Sequence, residues 1–260
     1  MDSDAEKLVR AKGYPYSAPD YSYIFYRGRA LKLGRMDLPP DMARRKPVLA
    51  YGSNAAPDQL RRKFPKLGDD EAIPVLRTVL PGFDVVYSAR FARYGAITAM
   101  LAPSPGTTLQ TFTTFLTPEQ LDLMHVSERR GPMDHTGYEY GRLRSLTAMV
   151  EAVGIRKDLF AYQSEAPALV LDGALVAFAE VTAKNRTLPA KPHGEVLATV
   201  AGLLSPGEGI DAFLLALIAD PERRRSRSAA LADLGRAVDL PGFTKDKIKP
   251  PRSQRRAPKR

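Results

Sequence analysis

The 260-residue sequence contains no cysteine, which excludes disulfides, thiolate nucleophiles, iron–sulfur clusters and cysteine-bound zinc. Histidine is scarce. His125, His135 and His193 are scattered, without the close-spaced pair of a usual metal site. No apolar run approaches the roughly 20 residues that a bilayer span needs. The first twenty residues mix acids and bases with no apolar core, so no secretory signal and no membrane partner are expected, and the chain is read as soluble and cytoplasmic. What remains is ordinary for a globular protein: 44% hydrophobic and 26% charged residues. The length predicts between one and two domains and suffices to bury a core without staples.

The net charge is +10, and most of it is local. From Lys245 to Arg260 there are eight Lys/Arg residues and one acid, Asp246, so this segment carries +7 and leaves +3 for the other 244 residues. With Pro250, Pro251 and Pro258 and little that is apolar, residues 241–260 are expected to form a basic, disordered tail. Two readings stay open for it: a solvated end, or a salt-sensitive contact with nucleic acid made through 245–260 only.

Ahead of the tail, residues 1–46 form a tyrosine-rich N-terminal extension and residues 47–240 a mixed α and β domain with a helical C-terminal part. Tyr14, Tyr16, Tyr21, Tyr23 and Tyr26 are five of the eleven tyrosines, set with Phe25 among Pro and Gly. Such segments cover apolar surface, and the interleaved basic residues of a base-stacking platform are missing. In the domain, Val48–Tyr51 predicts a strand ending at Gly52, and 57–64 a helix with Pro57 in its first turn. Runs at 74–80, 83–88, 96–101 and 109–116 predict strands, with Ser104-Pro105-Gly106 as a turn between the last two. Thr117 and Pro118 open a helix that runs to about Glu128, with Leu121, Met124 and His125 on one face. Strands at 138–146 and 158–163 follow, then a hairpin around Asp172-Gly173. Helical periods fill 192–240, where the Arg223–Arg225 cluster reads as a solvated face. No βαβ rhythm is present, which argues against a doubly wound sheet.

Two elements could carry chemistry. At Tyr51-Gly52-Ser53-Asn54 a strand stops at a turn whose Gly and Asn tolerate left-handed conformations, so successive N–H groups can face one concavity suited to a carboxylate, a phosphate or an oxyanion. An ordinary strand-to-helix connection is the other reading, and a Walker loop is excluded because Gly-Lys-Ser/Thr is absent. Glu128, at a helix C-terminus, is either a solvated helix end or, facing an apolar pocket, a proton acceptor near neutral pH.

The order of these pieces resembles the γ-glutamylcyclotransferase family, the AIG2-like fold. The landmarks are Tyr51-Gly52-Ser53-Asn54, Gly95–Ala99 followed by Ser104-Pro105-Gly106, Leu116-Thr117 opening the helix to Glu128, Gly137-Tyr138, and Lys191-Pro192. The resemblance covers roughly residues 47 to 204, and the departures are Ala55, His125, Arg129, His193 and Glu195, with a segment near 147–167 that looks inserted. It implies an α+β fold, a mixed and mainly antiparallel barrel-like sheet with flanking helices. It implies cleavage of a small-molecule γ-glutamyl amide by attack of the substrate's own α-amine, releasing 5-oxoproline and an amine, with no metal or cofactor. Glu128 would be the catalytic acid/base, and Tyr51, Gly52, Ser53, Asn54 and Tyr138 would bind substrate. Two alternatives stand beside it: the same fold acting on a different small amide, motivated by His125, Arg129 and His193, or a non-catalytic binding module whose basic tail contacts nucleic acid.

Overall fold

The computed structural model of the chain describes residues 2–246 apart from 66, 69, 70 and 129–136. Arg129, His135 and the part of the expected tail beyond 246 lie outside the described residues.

The chain begins with a helix, α1 (Asp4–Lys12), that the sequence reading did not contain. Its signal is a capping box: Ser3 Oγ accepts the Glu6 N–H, and the Glu6 carboxylate returns to the Ser3 N–H at 2.7 Å. A hairpin follows, β1 (Tyr23–Tyr26) with β2 (Arg29–Lys32). Then come β3 (Lys46–Ala50), a 3-10 turn at Ser53–Ala55, α2 (Pro57–Lys63), β4 (Ala72–Phe91) and β5 (Ile97–Leu116). After α3 (Pro118–Glu128) the strands resume as β6 (Tyr138–Val150), β7 (Gly154–Ser164) and β8 (Ala168–Leu171). Helices α4 (His193–Leu204), α5 (Ile210–Ala219) and α6 (Pro221–Ala232) complete the body.

Five strands close on themselves in the order β5-β3-β7-β6-β4 and back to β5. Only β3 and β7 run parallel; the other four pairings of this barrel are antiparallel. The α+β, mainly antiparallel barrel expected from the resemblance is thus the observed architecture. Leu49, Tyr87, Leu101, Leu143 and Leu159 share one core with Val196, Phe213 and Leu231, so α4, α5 and α6 are packed on the barrel by the same apolar cluster. The tyrosine-rich segment enters this architecture as strands: β1 pairs with β4, and Tyr23 and Phe25 are buried. Among the described residues no helix is long and apolar enough to cross a membrane.

Two expectations need correction. Ser104-Pro105-Gly106 is not a turn between strands. β4 and β5 are each a single twenty-residue strand, and their register steps from Pro81↔Thr108 to Phe83↔Pro103. Pro-Gly pairs on both partners, with Gly82 at φ +83° and Gly106 at φ +87°, make one shared bend after which pairing resumes. The true connection lies at 92–96, where the Ala92 N–H meets the Ala96 carbonyl at 2.8 Å and Gly95 takes φ +85°. The second correction concerns the start of the expected tail: Phe243–Lys245 is a strand on β6, where the absence of a side chain at Gly141 leaves room for the Phe243 ring.

Candidate functional site

The short strand β3 delivers the chain to Gly52, which has φ −116° and ψ −138°, and one 3-10 turn then leads into α2, opened by Pro57. No left-handed residue occurs in this loop, contrary to expectation. Glycine is needed at 52 for room instead: a Cβ there would lie 2.8 Å from the Tyr14 hydroxyl and 3.4 Å from Ala99 Cβ. The same hydroxyl accepts the Ala99 N–H at 3.0 Å, so the N-terminal segment is pinned against the loop. The Ser53 and Asn54 N–H groups open a helical turn, where they have no partner within it, and nothing among the described residues accepts them.

α3 is placed by its own cap. Thr117 Oγ1 accepts the Gln120 N–H at 3.2 Å, and Gln120 Oε1 accepts the Thr117 N–H at 3.0 Å. Met124 and His125 are buried, and His125 Nδ1 meets the Tyr162 hydroxyl at 2.7 Å while its ring stands edge-on to Tyr140. His125 therefore locks the helix to β6 and β7, which brings Glu128 to the inside of the molecule. Its side chain is 16% exposed, so the solvated-end reading is excluded. The apolar-pocket reading fails too. Glu128 Oε1 accepts from Asn54 Nδ2 at 3.2 Å and forms an ion pair with Lys63 Nζ, itself 8% exposed, at the end of α2. The sequence reading missed Lys63. Its signal was the run Arg61-Arg62-Lys63 closing the short helix that follows the loop.

A cavity of about 670 Å³ opens beside this cluster, and Tyr51, Gly52, Ser53, Asn54, Glu128 and Tyr138 all line it. The structure thus brings together every residue that sequence placed at the site. The two phenol hydroxyls are committed to the protein itself. The Tyr51 hydroxyl donates to the Tyr162 carbonyl and the Tyr138 hydroxyl to the Ala99 carbonyl at 2.6 Å. Burial pushes both phenols well above the usual tyrosine range, so both stay protonated near neutral pH and neither serves as a base. Their rings form wall.

The remaining wall mixes neutral residues such as Phe91, Tyr94, Pro167 and Ala229 with cations. Arg10 comes from α1, Arg62 and Lys63 from α2, Arg90 and Arg93 from the end of β4 and its turn, and Arg224 and Arg225 from α6. Against these seven, Glu128 is the single carboxylate among the described lining residues. The expectation of a solvated face at Arg223–Arg225 holds for Arg225, which is exposed and paired with Glu222 at the rim of the cavity, and fails for the other two: Arg223 pairs with Glu208, and Arg224 is buried with Nη1 on the Leu217 carbonyl at 2.9 Å. Local sequence could not reveal this, because the three helices that supply these cations are brought together only by the barrel.

His193 is not among the lining residues. Its Nε2 accepts the Ile97 N–H at 3.3 Å, its Nδ1 faces the Lys12 carbonyl at 3.3 Å, and its ring packs on Tyr87, Phe178 and Tyr14. Burial pushes its pKa down to about 4, which keeps the ring neutral and makes it a tie between α1 and the barrel.

No protein-family model and no curated protein matches the sequence. Among solved structures the chain is similar to a γ-glutamyl cyclotransferase, at 14% identity and a TM-score of 0.34, over 46% of this chain and 66% of that one. It is similar to an Arabidopsis thaliana protein solved in solution, at 16% identity and a TM-score of 0.33, over 54% of this chain and 75% of that one. A Homo sapiens protein described as uncharacterized aligns at 14% identity and a TM-score of 0.35, over 48% of this chain and 72% of that one.

Proposed function

We propose that the chain is a γ-glutamylcyclotransferase-like enzyme that cleaves a γ-glutamyl amide and releases 5-oxoproline and an amine. The observation that carries this reading is the meeting of Glu128 with the 51–54 loop, Asn54 Nδ2 to Glu128 Oε1 at 3.2 Å, on the wall of a cavity of substrate size. The two elements are 74 residues apart in sequence and have no local reason to converge.

The nucleophile belongs to the substrate, so the protein's task is to fold the γ-glutamyl group into a near-attack shape. Glu128 takes a proton from the α-ammonium. The freed lone pair attacks the side-chain amide carbon, closing the ring's C–N bond and forming a tetrahedral oxyanion. The N–H groups of Ser53 and Asn54, with Gly52 keeping the loop close, stabilise that charge as it develops. Collapse breaks the original amide bond as the departing nitrogen takes the proton from Glu128; the regenerated carboxylate then takes the second proton of the ring nitrogen and passes it to the departing amine, which leaves as an ammonium. These bond changes balance without an oxidant, a reductant or a hydrolytic water.

Lys63 supplies the countercharge of Glu128 while the cavity is empty, and the substrate ammonium takes over that place. Asn54 Oδ1, buried with no partner among the described residues, gives the ammonium a second acceptor. The Tyr51 and Tyr138 rings bound the substrate from the side. The test is 5-oxoproline release from γ-glutamyl dipeptides by the protein and its Glu128→Gln variant. The variant is expected to lose about 10³-fold in turnover with unchanged circular dichroism and melting; undiminished release would remove Glu128 from the chemistry.

A further inference from the structure

The N-terminal segment carries into the cavity a hydroxyl that the reaction above leaves unused. Tyr14 stands just past α1, where the Lys12 carbonyl faces His193 Nδ1 at 3.3 Å and the Lys12 ammonium pairs with Asp211. Its ring is fixed in the core, edge-on to Tyr16 and Phe178 at 6.0 and 5.7 Å and tilted against His193 at 5.6 Å. A ring packed on three sides holds its hydroxyl at one point. That point adjoins the loop. Tyr14, Gly52 and Ala99 all line the cavity, and the hydroxyl is 2.8 Å from where a Gly52 Cβ would lie. The missing side chain at 52 therefore lets the hydroxyl stand beside the turn that presents the Ser53 and Asn54 N–H groups.

The hydrogen bonding of this hydroxyl is half complete. Its oxygen accepts the Ala99 N–H at 3.0 Å, and nothing among the described residues accepts its hydrogen. The Ala99 carbonyl is already taken by the Tyr138 hydroxyl at 2.6 Å. Burial holds the Tyr14 phenol well above the usual tyrosine range, so the hydrogen stays in place near neutral pH. A phenol can donate as well as accept, and a buried donor without an acceptor costs free energy. A tie to the Ala99 N–H needs only the oxygen. An oxyanion formed at the 53–54 turn supplies the missing acceptor, and its charge makes that hydrogen bond a strong one.

We propose, on the basis of the reaction above, that Tyr14 is a catalytic residue whose hydroxyl donates to the γ-carbonyl oxygen as it becomes an oxyanion, together with the Ser53 and Asn54 N–H groups. Three donors then surround the developing charge, two from the loop and one from the N-terminal segment. The phenol gives a hydrogen bond and keeps its proton; proton transfer stays with Glu128. The segment carrying α1 is thereby part of the active site as well as a cover.

The experiment exchanges the atom that the hydroxyl would touch. Release of glutamate is followed from γ-glutamyl-glutamate and from its thioamide, in which sulfur replaces the γ-carbonyl oxygen and accepts hydrogen bonds weakly. The sulfur stays in the ring product, so both reactions break the same kind of carbon–nitrogen bond. Tyr14→Phe is expected to lose about 10²-fold in kcat on the amide with little change in KM. The loss on the thioamide is expected to be much smaller, so the amide-to-thioamide ratio of kcat falls by roughly tenfold or more. That ratio is taken within one preparation and does not depend on the folded fraction. A tyrosine that only ties Ala99 in place would slow both substrates alike, so an unchanged ratio overturns the proposal. A second measurement leaves Tyr14 intact: in crystals of Glu128→Gln with γ-glutamyl-glutamate, the γ-carbonyl oxygen is expected about 3 Å from the Tyr14 hydroxyl. An oxygen that faces the Ser53 and Asn54 N–H groups but lies out of reach of Tyr14 overturns the proposal and leaves the cyclisation intact. Absence of 5-oxoproline release from γ-glutamyl-glutamate and other γ-glutamyl dipeptides by the unaltered protein overturns the cyclisation itself.

Discussion

Asp84 and Glu128 are both carboxylates paired with a cation away from solvent, and their surroundings differ in a way that separates scaffold from site. Asp84 is fully buried, and Arg186 holds it through Nε at 2.8 Å and Nη2 at 3.1 Å. The Val85 N–H adds a third hydrogen bond to Asp84 at 2.8 Å, and the guanidinium also donates to the Val181 carbonyl at 2.7 Å. Neither residue lines the cavity. Around Glu128 a single oxygen, Oε1, takes both Lys63 and Asn54, the neighbouring Asn54 Oδ1 is left unpaired, and about 670 Å³ of space adjoins them. A closed network holds the fold; an open one keeps acceptor capacity for a ligand.

The sharpest way to break this comparison is to remove the cation from each pair. Arg186→Ala leaves a carboxylate buried and uncompensated, and is expected to cost about 3–5 kcal/mol in urea unfolding, with kcat/KM of the folded fraction largely kept. Lys63→Ala leaves Glu128 beside a cavity that water can enter. It is expected to lower turnover by roughly 10–100-fold, with a much smaller change in the same unfolding curve. Equal destabilisation by the two substitutions would erase the distinction.

A smaller effect tests the close approach that shapes the loop. Gly52→Ala places a Cβ against the Tyr14 hydroxyl, and overpacking of this kind costs roughly 1–3 kcal/mol. Tyr14→Phe in the same chain removes the offending atom and is expected to recover part of that loss. Without recovery, the glycine is required for some other reason. The smallest effect concerns His193, buried but remote from the cavity. Folded, it is neutral with a pKa pushed down to about 4, whereas the unfolded chain binds the proton near pH 6.5. The unfolded state therefore binds more protons inside that window. The stability this group contributes is whole above about pH 6.5, falls as pH drops, and is lost by about pH 4. The slope is at most about 1.4 kcal/mol per pH unit. Wild type and His193→Gln, melted across pH 4–7, are expected to diverge by this slope.

Much of the fold was legible where local chemistry sets it. Thr117-Pro118 and the carboxamide of Gln120 write the start of α3, and Pro57 writes the start of α2, so both helices fall where the sequence placed them. Asp172-Gly173, at φ +51° and +80°, turns β8 back as expected. The signals that misled were those whose meaning depends on a partner. Pro81-Gly82 and Ser104–Gly106 look like strand ends in isolation and become a shared bend only when they face each other. The candidate site divides along the same line. The loop and Glu128 could be named from motif order. Lys63, Arg10 and Arg224 could not, because their position depends on α1, α2 and α6 converging on one opening. His125 and His193 were read as chemical departures, and the structure uses both for packing.

The central claim is that one ligand touches Glu128 and the 51–54 loop at the same time. A crystal structure of the Glu128→Gln variant with γ-glutamyl-glutamate tests this directly. The account predicts the α-nitrogen within about 3 Å of the residue 128 side chain and the γ-carbonyl oxygen turned toward the Ser53 and Asn54 N–H groups. A ligand bound away from this cavity, or one lying in it with its amine and carbonyl turned from both elements, would contradict the account.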